Sequence, residues 1–208
     1  LNNEEQSLVK GFKLPVDIQN YLDSIPYIGE NHNRTPVEVI RDGQCHCLDG
    51  GLFAAAALRL IGYPPLIMDL IPEPGTDDDH VLAVFKRNGR YGAVAKSNFA
   101  GLRYREPVYA SLRELAMSYF EMFYNIEGLK TLRGYTRPLN LARYDRFEWE
   151  TEASGVELVV QRFYAMKSTP LLDDDAVRFL SPIDRRSYEA GMLGVNYDGI
   201  YKPAVGLE

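Results

Sequence analysis

Residues 36–64 read PVEVIRDGQCHCLDGGLFAAAALRLIGYP, and this segment decides the fold. Between Cys47 and Gly62 nearly every residue is Leu, Phe, Ala, Gly or Ile, and the only charged residues are Asp49 and Arg59. Because a helix without a polar face cannot lie on a protein surface, the pattern predicts a buried helix beginning near Cys47. Free backbone N–H groups and the positive end of the helix dipole favour the thiolate of a cysteine on the first turn. Cys47 is therefore the predicted nucleophile, and Cys45, two residues earlier, is the alternative.

The composition bounds the class of protein. The chain has 208 residues, 46% of them hydrophobic, which is enough for one packed domain over residues 1–208. Its formal net charge of −6 and the lack of a Lys/Arg-rich run argue against nucleic-acid and membrane-surface partners. No apolar run could span a bilayer and residues 1–12 lack signal-peptide features, so we expect a soluble, cytoplasmic protein. Cys45 and Cys47 are too close in sequence to form a mutual disulfide, so both are expected as free thiols.

We divide the chain into an N-terminal packing arm (1–34), a core (35–125) and a helical C-terminal extension (126–208). In the core, LIMDLI at 66–71 predicts a buried strand. Residues 80–97 predict an antiparallel hairpin, because HVLAVFK alternates and an Asn-Gly pair supplies the turn. The expected fold is α+β, with the cysteine helix packed on an antiparallel sheet.

Further helices are predicted outside the hairpin. The segment SLRELAMSYFEMFYNIEG at 111–128 has apolar residues at helical spacing behind a Ser cap. The segment VELVVQRFYAM at 156–166 favours a helix over a strand, and two short helices with Asp or Ser caps are expected between 173 and 194. The tail at 195–208 reads as turns.

Three polar groups suit thiol chemistry. Such chemistry needs a thiolate, an imidazole that holds it as an ion pair and later protonates the leaving group, and a third polar group that orients the imidazole. Cys47 opens the helix, His80 opens the hairpin and Asn98 follows its second strand, so the hairpin predicts that His80 and Asn98 are neighbours. The candidate catalytic set is therefore Cys47, His80 and Asn98.

The order of these residues resembles the transglutaminase-like superfamily, whose core is papain-like. The resemblance rests on Cys47, on Asp49 two residues later, and on Gly62-Tyr63-Pro64 closing the helix. His80 and the aromatic Tyr91 continue it, and it covers residues 36–99. A fainter likeness, from Asp77 through the 111–120 region, points to uncharacterised bacterial members of the same superfamily. The acid that the family carries on the second strand is missing at Ala95 and Lys96, and Asn98 is the nearest substitute.

The resemblance implies amide hydrolysis or transamidation through a thioester on Cys47, with a peptide or protein amide as substrate and no cofactor. His80 would act as base and then as acid, and Asn98 would orient it. The Cys47 backbone N–H and the Gln44 side chain are candidates for an oxyanion hole, and Asp49 is a further cleft candidate. Because Asn cannot stabilise an imidazolium by charge, a loop carboxylate such as Asp79 is a possible assistant.

Two other hypotheses stay open. The first is a metal site of Cys45, His46, Cys47 and His80, which the Cys-His-Cys spacing disfavours because it does not let the side chains chelate one zinc ion. No metal is therefore expected. The second is a transglutaminase-like binding or scaffold module that has lost its chemistry, to which the missing acid points.

Overall fold

The computed structural model describes residues 2–201, apart from the side chain of Glu4. The α-helices are α1 (Asn3–Gly11), α2 (Pro15–Ser24), α3 (Pro36–Asp42), α4 (Cys47–Leu60), α5 (Leu112–Met117), α6 (Ala153–Tyr164), α7 (Asp174–Arg178) and α8 (Arg185–Gly191). The strands are β1 (Leu66–Pro72), β2 (His80–Arg87), β3 (Arg90–Val94), β4 (Arg105–Tyr109), β5 (Leu132–Thr136), β6 (Leu139–Asn140) and β7 (Ser168–Pro170). Short 3₁₀ helices cover Ala100–Leu102, Phe120–Met122, Leu141–Phe147 and Tyr197–Gly199.

One antiparallel sheet organises these elements. Its strand order is β4-β3-β2-β1-β5-β7, and β6 pairs with β1 beside β5. The α+β class and the antiparallel sheet are therefore confirmed. None of the helices within residues 2–201 is long and apolar enough to cross a bilayer.

The predicted hairpin and the first predicted strand are both present. In β2 and β3, Ala83 faces Val94 and Arg87 faces Arg90. Asn88 and Gly89 both have positive φ, 50° and 78°, which is the backbone that a two-residue hairpin turn requires. The segment LIMDLI lies within β1, which pairs with β2.

The sheet has two covered faces, which we name the α4 face and the α5 face after the helices packed on them. Successive side chains of a strand point to opposite faces. Val81, Ala83 and Phe85 of β2 belong to the apolar cluster that contains α4. Leu82 and Val84 belong to the cluster that contains α5.

Helix α4 is buried along almost its whole length, as predicted from its lack of a polar face. Gly51 allows the helix to approach the sheet, since a Cβ atom at this position would lie 2.7 Å from Cγ1 of Val81. Gly50 lies equally tightly against the Cβ atom of Lys96. The paired glycines thus set the depth at which α4, and with it Cys47, sits on β2 and on the segment that follows β3.

The C-terminal region differs from the helical extension that was predicted. Helix α6 confirms the preference for a helix at 156–166, and α7 and α8 are the two short capped helices. The region also contributes β5, β6 and β7, and β5 lies directly beside β1 in the sheet. Strand β5 was missed because its buried positions include Gly134 and Thr136, which give a weak hydrophobic alternation. Of the tail predicted as turns, residues 202–208 lie outside the described residues.

The helix predicted at 111–128 is shorter than expected. Helix α5 ends at Met117, and a 3₁₀ turn at Phe120–Met122 replaces the remaining turns. The guanidinium group of Arg105 donates hydrogen bonds to both the hydroxyl and the carbonyl oxygen of Ser118. This tertiary contact binds the Ser118 carbonyl oxygen directly after the last residue of α5, where the helix ends.

Candidate functional site

Cys47 is the first residue of α4, and its side chain is half-buried. Its sulfur atom lies 3.9 Å from the backbone oxygen of Asp79, the residue that precedes β2. The side chain lines two neighbouring cavities, one shared with His80 and one shared with His46 and Tyr164. The predicted nucleophile therefore stands beside the beginning of β2, with open space on two sides.

The N-terminal end of α4 is held by Asp49, whose side chain is fully buried. Its carboxylate accepts hydrogen bonds from the backbone N–H of Arg34 at 2.7 Å and from that of His46 at 3.4 Å. The Arg34 guanidinium, itself almost fully buried, lies 3.6 Å from the same carboxylate. Asp49 was predicted as a cleft residue, but it lines neither cavity and instead caps the helix that presents Cys47.

Gln44 was the other predicted cleft residue. It is half-buried and lines neither of the two cavities beside Cys47. The structure therefore does not place its amide where an oxyanion would form. The remaining predicted donor is the Cys47 backbone N–H, which belongs to the first helical turn, where N–H groups have no partner within the helix.

His80 lies on the opposite side of the sheet from α4. It pairs with Leu70 across the β1–β2 ladder, and Leu70 belongs to the cluster on the α5 face. Its Nε2 atom is 2.6 Å from the backbone oxygen of Leu102, so this nitrogen donates the hydrogen bond. Its ring meets the ring of Tyr119 edge-on, with centroids 6.3 Å apart.

The surroundings of His80 keep its imidazole neutral. Complete burial lowers the pKa of His80 to about 4, although the Leu102 hydrogen bond acts in the opposite direction; the nearby Arg105 lowers it further. With Nε2 protonated, Nδ1 carries the free lone pair. No hydrogen bond to Nδ1 is formed within residues 2–201, so this nitrogen is free to act as a base.

Cys47 and His80 meet only at a shared cavity. Cys47 reaches the cavity from the α4 face and His80 from the α5 face, at the N-terminal end of β2. Three consecutive carboxyl groups, Asp77, Asp78 and Asp79, line the same space. Within the described residues, no hydrogen bond or ion pair joins the thiol to the imidazole.

The third predicted residue, Asn98, lines this cavity but does not contact His80 through a hydrogen bond. Its amide nitrogen donates to the backbone oxygen of Asn196, and its Oδ1 accepts from the backbone N–H of Asn196, both at 2.8 Å. Both ends of the amide are therefore engaged by the C-terminal segment. The group that orients His80 in this structure is the Leu102 carbonyl, which no side-chain pattern could have indicated.

Two neighbouring carboxyl groups, the buried Asp69 and the half-buried Asp79, lie near Cys47 on the α4 face. Asp69 lies in β1 opposite Val81, and directly opposed residues share a face. Burial raises the pKa of both Asp69 and Asp79, and the charge of Asp79 raises that of Asp69 further, so the pair retains a proton that two separate carboxylates would lose. Oδ1 of Asp69 has no hydrogen-bond partner among the described residues. Tyr164 also contacts Asp79, its hydroxyl 3.4 Å from Oδ2. Asp69 was not among the site residues predicted from the sequence. The pattern that could have identified it is a single carboxylate in an otherwise apolar predicted strand.

The electrostatics around Cys47 oppose the thiolate that was predicted. Burial raises the pKa of the Cys47 thiol well above its usual range, and the carboxylates of Asp79 and Asp78 raise it further. The backbone N–H of Val81 acts in the opposite direction without reversing the shift. Desolvation thus outweighs the helix N-terminus, and the resting site pairs a neutral thiol with a neutral imidazole.

Cys45 stands apart from this arrangement. It is fully buried, and burial raises the pKa of its thiol to about 12. Within the described residues, no three His, Cys, Asp or Glu side chains are placed to hold one metal ion, so Cys45, His46, Cys47 and His80 do not form the four-ligand group considered from the sequence.

The chain was compared with family models and with curated proteins. No family model matches it, and no curated protein matches it.

Proposed function

We propose that the protein is a cysteine-dependent acyl-transfer enzyme of the transglutaminase-like type, with a papain-like core. It would cleave or exchange a peptide or protein amide through a thioester on Cys47. One observation carries the proposal: Cys47 at a helix N-terminus and His80, with an unengaged Nδ1, line the same cavity.

The neutral state of both groups defines the first step. The Cys47 sulfur attacks the amide carbonyl carbon while its proton passes to Nδ1 of His80, so that charge separates only during the reaction. The Cys47 backbone N–H is the donor proposed for the developing oxyanion. The resulting imidazolium is a strong acid, because the pKa of His80 is lowered to about 4.

The second step returns this proton. The imidazolium protonates the leaving amine nitrogen, the carbon–nitrogen bond breaks, and the acyl group remains on Cys47 as a thioester. Water or a second amine then attacks the thioester, and His80 takes its proton and returns it to the sulfur. The Leu102 carbonyl holds Nε2–H throughout, which is the orienting role assigned from the sequence to Asn98.

The test compares the effect of replacing Cys47 with the effect of replacing Cys45. Peptides carrying Gln, Asn or C-terminal amides would be screened for ammonia release and for incorporation of a labelled amine, with trapped adducts located by mass spectrometry. We expect Cys47→Ala to abolish turnover and adduct formation, and Cys45→Ala, at a fully buried position outside both cavities, to retain them. Turnover that survives in Cys47→Ala protein would overturn the proposal.

A second candidate is a binding module without chemistry. It is favoured by the engagement of the whole Asn98 amide by Asn196 and by the raised pKa of Cys47. In that case peptide amides would bind wild-type and Cys47→Ala protein equally, and no acyl adduct would form on either.

A further inference from the structure

A segment near the C-terminus lies across the candidate site. We name residues 196–201 the strap. The backbone of Asn196 is bound to the Asn98 side chain by the two hydrogen bonds described above, and the Asn196 Nδ2 donates to the backbone oxygen of Tyr27 at 3.0 Å. Gly199, Ile200 and Tyr201 then line both cavities beside Cys47. The strap therefore occupies the approach to the thiol.

The strap is seated backbone against backbone. A Cβ atom on Gly29 would lie 2.7 Å from Cα of Gly199, and one on Gly199 would lie 3.0 Å from the Tyr27 ring. Neither position has room for a larger residue without movement. This side of the groove is joined to the segment that leads into α4, because Tyr27 forms a parallel bridge with Cys45, two residues before Cys47.

These contacts recognise a main chain and hardly recognise a sequence. Asn98 binds the N–H and the C=O of a single residue, as a neighbouring strand would. Two features of the seat are selective among the described residues: the space for a residue without a side chain at the position of Gly199, and the hydrogen bond from the Asn196 side chain to the Tyr27 carbonyl. A peptide that follows the same 3₁₀ turn and carries glycine at that point presents the same groups.

We propose that the groove between Tyr27–Gly29 and Asn98 is a peptide-backbone-binding site beside Cys47, occupied in cis by the strap. Its ligand is a peptide that forms the same 3₁₀ turn, with glycine at the position of Gly199, and the strap must leave before that peptide enters. Asn98 is then the residue that positions the peptide. The groove and its peptide ligand are inferred from these contacts alone. The further step, that this peptide is the acyl donor for Cys47, rests on the proposed function.

The experiment measures how fast iodoacetamide alkylates Cys47 in the full chain, with the labelled residue identified by peptide mapping. Asn98→Ala should raise the rate by about fivefold or more, because two hydrogen bonds no longer hold the strap closed. Gly29→Ala should raise it similarly, since the added methyl group displaces Gly199 without touching Asn98. Asn140→Ala, which removes an Asn cap remote from the strap, should leave the rate unchanged.

Addition of a peptide tests the ligand class. In Asn196→Ala protein, which loses the bond to Tyr27, the peptide GVNYDGIY should slow the alkylation again, and the same peptide with Val in place of its second Gly should not. Slowing by both peptides, or by neither, would contradict the backbone site.

Equal alkylation rates in wild-type and Gly29→Ala protein would show that the strap does not cover Cys47 and would overturn the inference. If Asn98→Ala protein does not fold, the alkylation rate of Gly29→Ala protein decides the test instead. A lack of acyl transfer in every variant would refute the proposed function and leave these rates unaffected, so the two proposals fail separately.

Discussion

The two faces of the sheet carry buried titratable groups of opposite kind. The α4 face buries carboxyl groups, with Asp49 under the helix end and Asp69 in β1. The α5 face buries an imidazole, with His80 hydrogen-bonded to Leu102 and packed against Tyr119. Burial raises the pKa of Asp69 and lowers that of His80, so in both cases it favours the neutral form.

This difference restricts where in the molecule a reaction between the two groups can take place. A thiol and an imidazole attached to opposite faces cannot meet through the sheet, and they share space only where β2 begins. The site is thus an edge feature, where the two faces meet beside the carboxyl groups of Asp77, Asp78 and Asp79. Substitutions on each face test this contrast.

Asp49→Ala removes the central charge of the α4 face. It eliminates the cap of α4 and one partner of the buried Arg34, whose Nη1 has no hydrogen-bond partner in the structure. We expect unfolding free energy to fall by about 3 kcal/mol, at the lower end for a broken buried pair because Asp42 and Glu30 still contact Arg34. Urea denaturation measures this.

The matched control is Asp145→Ala. Asp145 also pairs with an arginine at the other end of α4, but both side chains are about two-fifths exposed. The loss there should stay below about 1 kcal/mol. Equal losses in the two variants would contradict the claim that the α4 face depends on buried charge.

His80→Gln tests the α5 face through its pH dependence. The folded-state pKa is lowered to about 4 from an ordinary value of 6.5, so the unfolded chain takes up the proton first. The stability from a neutral His80 is complete above pH 6.5 and is lost as pH falls toward 4, a total of about 3 kcal/mol. The difference between wild-type and His80→Gln unfolding free energies should therefore shrink or reverse across this window, while a pH-independent difference would contradict the buried neutral imidazole.

Asp69→Asn tests the α4 face with the opposite sign. Because the folded-state pKa is raised, the stabilising proton is retained at low pH and lost as pH rises. The Asn variant should gain stability relative to wild type between pH 5 and pH 8, by about 1 to 3 kcal/mol. Thermal unfolding at the two pH values measures the change, with Asp145→Asn as the exposed control.

Local features of the sequence predicted much of this arrangement. The lack of a polar face in α4, the alternation and Asn-Gly turn of the hairpin, and the position of Cys47 at a helix start all follow from neighbouring residues. These are patterns with a period of a few residues, in which local chemistry and tertiary structure agree.

The remainder depends on partners distant in the chain. Asn98 binds Asn196, which is 98 residues away, and His80 binds a backbone carbonyl, which leaves no trace in residue type. Whether Cys47 would be a thiolate depended on how deeply it is buried, and desolvation outweighed the local helix effect. Sequence therefore indicated which groups take part, and tertiary packing determined their protonation and their partners.

Tyr119→Phe gives the smallest expected effect and isolates one hydrogen bond of the α5 face. The hydroxyl donates to the backbone oxygen of Arg103 at 2.9 Å, while the ring packs against His80 and under the guanidinium of Arg105. Because the ring is retained, we expect a loss of about 1 kcal/mol, mostly from the unsatisfied carbonyl. The control is Tyr188→Phe. The Tyr188 hydroxyl also donates to a backbone oxygen but near the surface, and its loss should cost less than about 0.5 kcal/mol.

If the pH dependence assigned to His80 also disappeared in Tyr119→Phe protein, the imidazole would be held by the tyrosine hydroxyl network and not by Leu102 alone. If it persists unchanged, the Leu102 carbonyl is sufficient to hold the histidine at the edge where Cys47 arrives from the other face.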